Sequence, residues 1–587
     1  MKFREARWCL SIRLGGEVMR MDMLIKDINI FNSYFKRFMK GNAAIKDGRF
    51  YYIGAGEPDA FAADRILDGK GKYLIPGLID IHLHIESTMV TPATFSYGLI
   101  KNGVTTIVPE PHEMANVFGI SGVKEMIKAS KECVADMFYA IPSSVPATSM
   151  ETTGGSIEIS DMDELMQTED IICLGEIMNY YEVISDPECK TNKILSHIRS
   201  HYPDLIIEGH VPKLLDLDLQ KIIHAGVDSD HTHQTVEGLD ARIAAGMFIE
   251  IQEKSMTEEV MDYLKENQVD EHFCFVTDDV MTDSFQKRGH LNVLLKKAIQ
   301  MGMSPEKAIY ACTYTPAQRM RMHDRGAIAP GKVADFLLIS DLQSFDIEQV
   351  YKNGELAYDS SQPYVQEASG KQFPEHFYQS VKLADLSEND FHLSVPDEQG
   401  QAKCRIINVQ NGSTFTSETH DWLTMENGEL CWEESPYGLI ATFERYGKNG
   451  NRAHGLITGD VLKRGAVATT YSHDNHNLLV IGRNKQDMVM AANEVIRNQG
   501  GVCSVHDGKI LSMIHLPVGG ILSEEPMDIV SEQVERLTDS LKSLGYEHYN
   551  VIMSLSTLSL PVSPALKITD HGLINVNEGK VVPLIIK

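Results

Sequence analysis

The chain has 587 residues, 43% of them hydrophobic, and this length predicts more than one domain with large buried cores. Its formal net charge is −28 with no basic block, which argues against a groove that follows nucleic-acid phosphates. Nine scattered cysteines without a CxxC pair predict reduced thiols in a cytoplasmic protein. No apolar run has the roughly 18–20 residues that a membrane span needs.

Three methionines, Met19, Met21 and Met23, directly precede the first strand-like run of the chain, LIKDINIF at residues 24–31. The segment before them carries charges and only a broken apolar stretch, so it lacks the core of a signal peptide. We therefore expect translation to begin at Met19, Met21 or Met23 rather than at Met1. Mass spectrometry of the native protein tests this expectation.

Two stretches rich in short strands and turns flank a long middle region. Residues 23–74 contain a hairpin signal, Asp-Gly, at 47–48, and residues 326–370 contain a similar signal, Asn-Gly, at 353–354. We expect these two stretches to form one small β domain that is discontinuous in sequence.

The middle region, residues 75–325, alternates apolar strand-like runs with helical ones. The strand-like runs are LIDIHLH (78–84), TTIVPE (105–110), MFYAIP (137–142), IICLGEI (171–177), LIIEGH (205–210), GVDSDH (226–231), MFIEIQE (247–253) and FCFVTDD (273–279). Eight β/α repeats in about 250 residues predict a (β/α)8 TIM-like barrel, with an open doubly wound sheet as the alternative. Residues 371–587 predict a separate C-terminal α/β domain.

The first run of the middle region carries two histidines, His82 and His84. Side chains at alternate positions of a strand leave the same face, so both imidazoles point the same way. Buried imidazoles need polar partners, and the choice lies between hydrogen-bonded core residues and ligands of a divalent ion. Two histidines on one apolar face favour ligation, with the remaining ligands to come from elsewhere.

Polar residues also end the other apolar runs, and in a (β/α)8 barrel the chemistry lies at the carboxyl ends of the strands. The residues at or just beyond these ends are Glu110, His112, Glu113, Glu176, His210, Asp230, His231, Asp278 and Asp279. Their convergence on one barrel mouth predicts a site for two divalent ions. The predicted ligands are His82, His84 and Asp278 for one ion, His210 and His231 for the other, and Glu176 as the bridge.

Two such ions would polarise a bridging water into hydroxide at neutral pH, which is the nucleophile for hydrolysis. Nitrogen and oxygen ligands without thiolate are compatible with Mn, Fe or Zn. The strand-end residues therefore predict a hydrolytic enzyme.

Several long motifs resemble the bacterial adenine deaminases of the amidohydrolase superfamily: PGLIDIHLHIEST, EPHEMANVFG, GEIMNY, EGHVP, FVTDD and DRGAIAPGKVADF. The resemblance continues through LKRGAVATTYSHDNHNLLVIG and LPVGGILSEEP, so it covers nearly the whole chain after Met23. It implies an amidohydrolase barrel that hydrolyses adenine to hypoxanthine and ammonia in purine salvage or catabolism. It also implies a binuclear site, usually with Mn or Fe, in a homodimer or larger homo-oligomer.

The resemblance also implies roles for single residues. Glu176 becomes the bridging ligand, at a position where other superfamily members use a carbamylated lysine. Asp278 becomes both a ligand and the acceptor of the proton from the attacking water. Glu113 is a candidate for carrying that proton to the leaving group. The residues expected to bind substrate or support the ligands are Glu86, His112, Glu113 and Asp279.

One position departs from the family pattern. After the sixth strand the family usually reads Asp-His-Glu, whereas this chain reads Asp230-His231-Thr232. We therefore expect weak adenine deamination, which Thr232→Glu would raise by about tenfold. Two alternatives stay open: hydrolysis of another heterocycle or cyclic amide, and purine binding without turnover.

The sequence His473-Asp474-Asn475-His476 lies in the C-terminal region. We favour a polar loop as its interpretation. The alternatives are a further metal site and a loop that reaches over the active site of its own or a neighbouring subunit.

Overall fold

The structure is a computed structural model that describes residues 19–56, 61–366, 370–395 and 399–586. Most of the segment expected to precede the true start, residues 1–18, lies outside the described residues. The first strand begins at Met19, before the predicted run at 24–31. None of the helices in the described part is long and apolar enough to cross a membrane.

The strands are numbered in chain order: β1 Met19–Asn32, β2 Arg37–Lys46, β3 Arg49–Gly54, β4 Phe61–Asp68, β5 Tyr73–Pro76, β6 Leu78–Leu83, β7 Val104–Pro109, β8 Asp136–Met137, β9 Tyr139–Ile141, β10 Ile171–Ile177, β11 Ile206–Gly209, β12 Ser229–Asp230, β13 Phe248–Ile251, β14 Phe273–Phe275, β15 Phe336–Ile339, β16 Ile347–Lys352, β17 Glu355–Asp359, β18 Gln399–Val409, β19 Thr416–Glu426, β20 Glu429–Leu430, β21 Gly438–Phe443, β22 Arg452–Gly459, β23 Ala466–Thr469, β24 Leu478–Gly482, β25 Gly501–His506, β26 Lys509–His515, β27 Leu566–Thr569, β28 Gly572–Asn575 and β29 Lys580–Val582.

The α-helices are α1 Pro92–Lys101, α2 His112–Phe118, α3 Ile120–Ser130, α4 Ile159–Leu165, α5 Tyr180–Ser185, α6 Lys190–His201, α7 Asp216–Ala225, α8 Val236–Ala244, α9 Glu258–Glu266, α10 Thr282–Arg288, α11 Leu291–Gln300, α12 Pro305–Arg319, α13 Lys485–Arg497, α14 Met527–Ser543 and α15 Val551–Ser556. Short 3-10 helices lie at Ile85–Thr88, Glu253–Ser255, Glu375–Tyr378, Glu388–Phe391 and Thr557–Ser559.

The two flanking stretches contribute to one eight-stranded sheet. Its strands run in the order β17-β16-β15-β5-β1-β2-β3, and β4 pairs with β1 off this path. The two stretches meet where β5 pairs antiparallel with β15.

The strands of the middle region pair in parallel as three groups: β6-β7-β8, β9-β10-β11 and β12-β13-β14. Backbone bonds link the groups, with Phe138 N donating to Ile107 O (3.0 Å) and Asp228 N donating to Ile207 O (3.1 Å). Asp278 N, just after β14, donates to the carbonyl oxygen of His82 on β6 (3.1 Å). The end of the eighth strand-like run is therefore hydrogen-bonded to the first run.

Local sequence explains why these elements form. The apolar runs of β6 and β7 are buried along their whole length, as expected of parallel strands covered on both faces. The intervening helices begin at capping residues: the side chains of Thr235, Thr257 and Ser304 accept bonds from the first turns of α8, α9 and α12.

The C-terminal region holds a nine-stranded sheet, ordered β20-β19-β18-β22-β21-β24-β23-β25-β26, and the smaller sheet β27-β28-β29. It packs directly against the middle region. One buried apolar cluster includes Phe95 and Leu99 of α1, Phe285 of α10, and Met527 and Val530 of α14. This packing brings the loops of the C-terminal region close to the carboxyl ends of the parallel strands.

Candidate metal centre

The two histidines of the first parallel strand converge on one carboxylate. His82 Nε2 lies 3.7 Å and His84 Nε2 lies 3.4 Å from Asp278 Oδ1. Both imidazoles are almost completely buried, and Asp278 is partly exposed. The hydrogen bond from Asp278 N to His82 O holds Asp278, the third residue after β14, against β6.

Glu176, on β10, stands between two groups of imidazoles. Its Oε1 lies 3.6 Å from His84 Nε2. Its Oε2 lies 2.9 Å from His210 Nδ1 and 3.2 Å from His231 Nε2. The structure thus brings together all six predicted ligands, and each oxygen of Glu176 faces a different group.

Glu110 and Gly175 fix the position of Glu176. The backbone N–H of Glu176 donates to Glu110 Oε2 (2.7 Å). Because the Glu110 carboxylate occupies the space where a Cβ of residue 175 would lie, only glycine fits there. This close approach explains the Gly-Glu pair in IICLGEI.

The donor set fits divalent cations. His210 Nδ1 and His231 Nε2 lie 3.1 Å apart and both face Glu176 Oε2, while His82 Nε2 is buried without a hydrogen-bond partner among the described residues. His84 Nδ1 lies 3.1 Å from the carbonyl oxygen of Glu110, so this nitrogen is the donor and Nε2 is free to ligate. The potential ligand atoms of His82, His84 and Glu176 lie within 4.8 Å of one another, as do those of Glu176, His210 and His231.

The electrostatics keep both central carboxylates ionised. Burial acts to raise the pKa of Glu176, but His231 and His210 outweigh it and hold the pKa well below its usual value. Burial likewise opposes ionisation of Asp278, yet the bond to His84 and the charge of Lys254 lower its pKa. An ionised carboxylate is the form that binds cations.

Gln252 contacts Asp278, and we did not identify it from the sequence. Its amide Nε2 donates to Asp278 Oδ2 (2.5 Å), and the Lys254 ammonium lies 3.8 Å from the same oxygen. These contacts leave Oδ1 facing His82 and His84. The signal was present in the sequence, because Gln252 follows the last apolar residue of the seventh run, as other site residues follow theirs.

Glu250, on β13, is a second residue that we did not identify. Its carboxylate is buried, and its ligand atom lies within 4.8 Å of those of His82 and His231. Burial and the adjacent Glu208 hold the pKa of Glu250 well above its usual value. Arg319 compensates Glu208 with a contact of 2.8 Å. An acid inside the apolar run MFIEIQE was the available signal.

The four residues predicted to bind substrate or support the ligands lie beside the centre in different surroundings. Glu86 is buried, accepts a bond from Met114 N (3.3 Å), and burial raises its pKa to about 7. The His112 ring lies 4.5 Å from that of His84 between centroids. Asp279 is exposed and accepts a hydrogen bond from Ser87.

Glu113, the fourth of these residues, contacts the C-terminal region. Its two carboxylate oxygens contact His473 Nδ1 and His476 Nε2, which belong to the loop between β23 and β24. Our favoured interpretation of this loop as merely polar is wrong, because both imidazoles are buried against the mouth of the parallel strands. Burial acts to raise the pKa of Glu113, but His473, His476 and His112 lower it well below its usual value.

Thr232 has a role that the family comparison did not suggest. Its hydroxyl donates to Asp230 Oδ2 (3.0 Å), and the same carboxylate accepts bonds from Gln234 Nε2 (2.8 Å) and Arg242 Nε (2.7 Å). A glutamate at this position would lose the donor and bring a second carboxylate against Asp230. The expectation that Thr232→Glu raises activity therefore does not fit this geometry.

The arrangement of the site is that of a metal-dependent hydrolase, and comparisons with known proteins agree with this class of enzyme. The sequence model described as the amidohydrolase family matches residues 73–357, which include all six candidate ligands. The model described as the adenine deaminase C-terminal domain matches residues 413–580. The chain thus combines an amidohydrolase region with this C-terminal domain.

Similar proteins span almost the whole chain. "Adenine deaminase 2" of Shouchella clausii is 62% identical over 97% of this chain and 99% of that protein. "Adenine deaminase" of Clostridium perfringens is 48% identical over 96% of this chain and 100% of that protein. "Adenine deaminase" of Lactobacillus delbrueckii subsp. bulgaricus is 42% identical over 96% of this chain and 99% of that protein. The chain belongs to the adenine deaminase family.

Proposed function

We propose that this protein hydrolyses adenine to hypoxanthine and ammonia, using a pair of divalent ions. The observation that carries the proposal is the Glu176 carboxylate, which faces His84 with one oxygen and His210 and His231 with the other. The relatives at 62% and 48% identity, both named adenine deaminases, support adenine as the substrate.

The architecture that suits this function is a closed (β/α)8 barrel formed by residues 75–325. The bond from Asp278 N to His82 O supports closure, because it joins the last parallel run to the first. Residues 23–74 and 326–370 would form the small discontinuous β domain, and residues 371–587 the C-terminal α/β domain. The family resemblance further favours a homo-oligomer, which size-exclusion chromatography with light scattering tests.

The proposed ligands divide into two sets with Glu176 shared between them: His82, His84 and Asp278 for one ion, and His210 and His231 for the other. Mn or Fe follows from the family resemblance, and the nitrogen and oxygen donors also accept Zn. Ions held there would lower the pKa of a water molecule, so that hydroxide is available at neutral pH.

Asp278 is the proposed acceptor of the proton released by the attacking water. Its ionised carboxylate has one oxygen fixed by Gln252, and the other faces the imidazoles of the first strand. Glu113 is the proposed carrier of a proton to the departing amino nitrogen, because ammonia leaves only when that nitrogen is protonated. The residues proposed to line the base or support the ligands are Glu86, His112 and Asp279.

A substrate panel tests the proposal. The metal-free protein is reconstituted separately with Mn²⁺, Fe²⁺ and Zn²⁺ and given adenine, other purines, pterins and cyclic amides. We expect ammonia release with adenine as the best substrate. Turnover of another heterocycle without adenine turnover would contradict the substrate assignment, and bound metal without turnover of any compound would contradict the enzyme assignment.

A further inference from the structure

The loop between β23 and β24 carries a second group of imidazoles to the edge of the metal centre. His473 Nδ1 contacts Glu113 Oε1, and His476 Nε2 contacts Glu113 Oε2. The backbone N–H of His473 is itself fixed by the carbonyl oxygen (3.2 Å) and the hydroxyl (3.1 Å) of Ser556. The loop is therefore held firmly while it presents two imidazoles to one carboxylate.

Glu113 lies close to the candidate metal ligands. It follows His112, whose Nε2 is 3.5 Å from Glu113 Oε1. The His112 ring in turn lies 4.5 Å from the ring of His84. A short path of contacts thus leads from the C-terminal loop to the centre.

The two imidazoles of the loop lie in opposite electrostatic surroundings. Asp474 Oδ1 is 3.5 Å from His473 Nδ1, whereas the Arg445 guanidinium donates to the backbone oxygen of His476. Burial acts to lower the pKa of both imidazoles. At His473, Glu113 and Asp474 outweigh burial and hold the pKa well above its usual value. At His476 the pKa stays below its usual value, with His473 and Arg445 adding to the effect of burial.

The loop also carries buried polar atoms without hydrogen-bond partners in the part of the chain that the structure describes: His473 Nε2, Asp474 Oδ2 and His476 Nδ1. A protonated imidazole has a donor on each nitrogen. An unpaired buried donor lowers stability, because it has lost its hydrogen bonds to water without gaining a partner. The unpaired Nε2 atom of His473 therefore indicates a side chain that exchanges its proton rather than one with a purely structural contact.

Charged and titratable groups surround the pair of Glu113 and His473 on several elements. They are His112 of α2, Asp279 after β14, and Tyr471, Asp474 and His476 of the loop itself. Two carboxylates among them favour a protonated His473, and two imidazoles oppose it. Since Asp474 and Glu113 are the nearest of these groups, the protonated form of His473 prevails.

We propose that His473 supplies the proton that leaves on ammonia, acting through Glu113; this inference rests on the proposed function. The N–H bond at His473 Nδ1 breaks as an O–H bond forms at Glu113 Oε1. That proton passes to the amino nitrogen while the bond from C6 to nitrogen breaks, with its electron pair going to nitrogen. His473 is a positioning residue that loads Glu113, and Glu113 is the group that meets the substrate.

The step balances without a further reactant. After ammonia leaves, Glu113 is ionised and His473 is neutral. His473 regains a proton from solvent, and Asp278 releases to solvent the proton that it took from the attacking water. One water is therefore consumed for each ammonia formed.

The test uses the full-length protein loaded with Mn²⁺ and compares three glutamine variants. We expect His473→Gln to keep both ions and its melting temperature, to lower kcat about 10²-fold with little change in KM, and to lose the alkaline limb of the kcat profile. We expect His476→Gln to lower kcat less than about tenfold and to keep that limb, because burial holds the pKa of His476 below its usual value. His454→Gln is the control, and its kcat should stay within about twofold of the wild-type value. The Nε2 atom of His454 contacts Asp390 O (2.8 Å) and not Glu113.

A rescue experiment separates proton supply from structural support. Added imidazole should restore kcat of His473→Gly at least tenfold, with a rate that depends on the pKa of the added base. Near-native kcat in His473→Gln overturns this inference alone if the wild-type protein deaminates adenine. Loss of ions in His473→Gln without rescue of His473→Gly also overturns it. A wild-type protein that releases no ammonia from adenine removes both this inference and the proposed function.

Discussion

The metal centre lies beside a second group of residues, the Glu113 cluster, which consists of Glu113, His473 and His476. The residues of the two groups come from different parts of the chain. Every candidate ligand of the centre stands at the end of a parallel strand, or within three residues of it. His476, by contrast, reaches Glu113 from a loop 363 positions further along the chain. The centre is therefore built by local strand geometry, and the cluster is built by packing between regions.

This difference decides what the sequence reveals. A polar residue that ends an apolar run is conspicuous, and the alternation of strands predicts that such residues meet at one edge. The two imidazoles of the loop carry no such signal. Their burial depends on helices such as α14 packing against α1 and α10, which no local pattern specifies.

The strongest test of the strand-built centre is Glu176→Gln. We expect a loss of kcat of about 10³-fold or more together with weaker retention of both ions, because a neutral amide does not compensate two cations. Ammonia release and elemental analysis measure the two effects. Normal rates with two tightly held ions would remove the bridging role, and Glu188→Gln, at an exposed position, is the matched control.

Asp278→Asn separates proton transfer from metal binding within the same centre. We expect about 10²-fold lower kcat with the fold and most of the metal retained, since the amide keeps an oxygen but accepts no proton. Steady-state kinetics and elemental analysis check this outcome. A near-native rate would assign the base to another residue, with Glu113 the next candidate.

Thr232→Glu tests whether the departure from the family pattern is structural. The new carboxylate would face Asp230, which already accepts bonds from Thr232, Gln234 and Arg242. We expect the free energy of unfolding to fall by about 2–3 kcal/mol, because a buried like-charge contact replaces a hydrogen bond. Urea unfolding measures it, with Thr232→Ser as the conservative control. A stable variant with about tenfold higher activity would instead favour contact between position 232 and the substrate.

Lys567, on β27 of the C-terminal region, offers the smallest expected effect. Burial alone lowers the pKa of this lysine from 10.5 to about 7, and its ammonium donates to Thr414 O (2.8 Å). Between these two pH values the unfolded chain binds more protons than the folded protein, so stability should rise with pH across that window. We expect Lys567→Met to raise the free energy of unfolding by about 1 kcal/mol at pH 6 and by less at pH 9. Lys580→Met, at an exposed position, should show no such pH dependence.

Particular residues show where prediction from the sequence succeeded and where it failed. Each of the eight apolar runs overlaps a parallel strand. The third, at 137–142, overlaps two short strands, β8 and β9, and the sixth and eighth contain strands of only two and three residues. Gln252 and Glu250 were missed because we gave no weight to polar residues in the seventh run. The contacts of Thr232 were not foreseen, because its partner, Asp230, belongs to a buried network that also needs Arg242 from α8. Side-chain networks of this kind depend on three-dimensional packing and leave little trace in local patterns.

The proposed function requires that this centre deaminate adenine with the ions that its ligands would hold. The measurement is a titration of chelator-stripped protein with Mn²⁺, following ammonia release from adenine and bound metal together. We expect activity to rise with bound metal and to reach its plateau at about two ions per chain. Full metal occupancy without ammonia release from adenine, or full activity in the stripped protein, would contradict it.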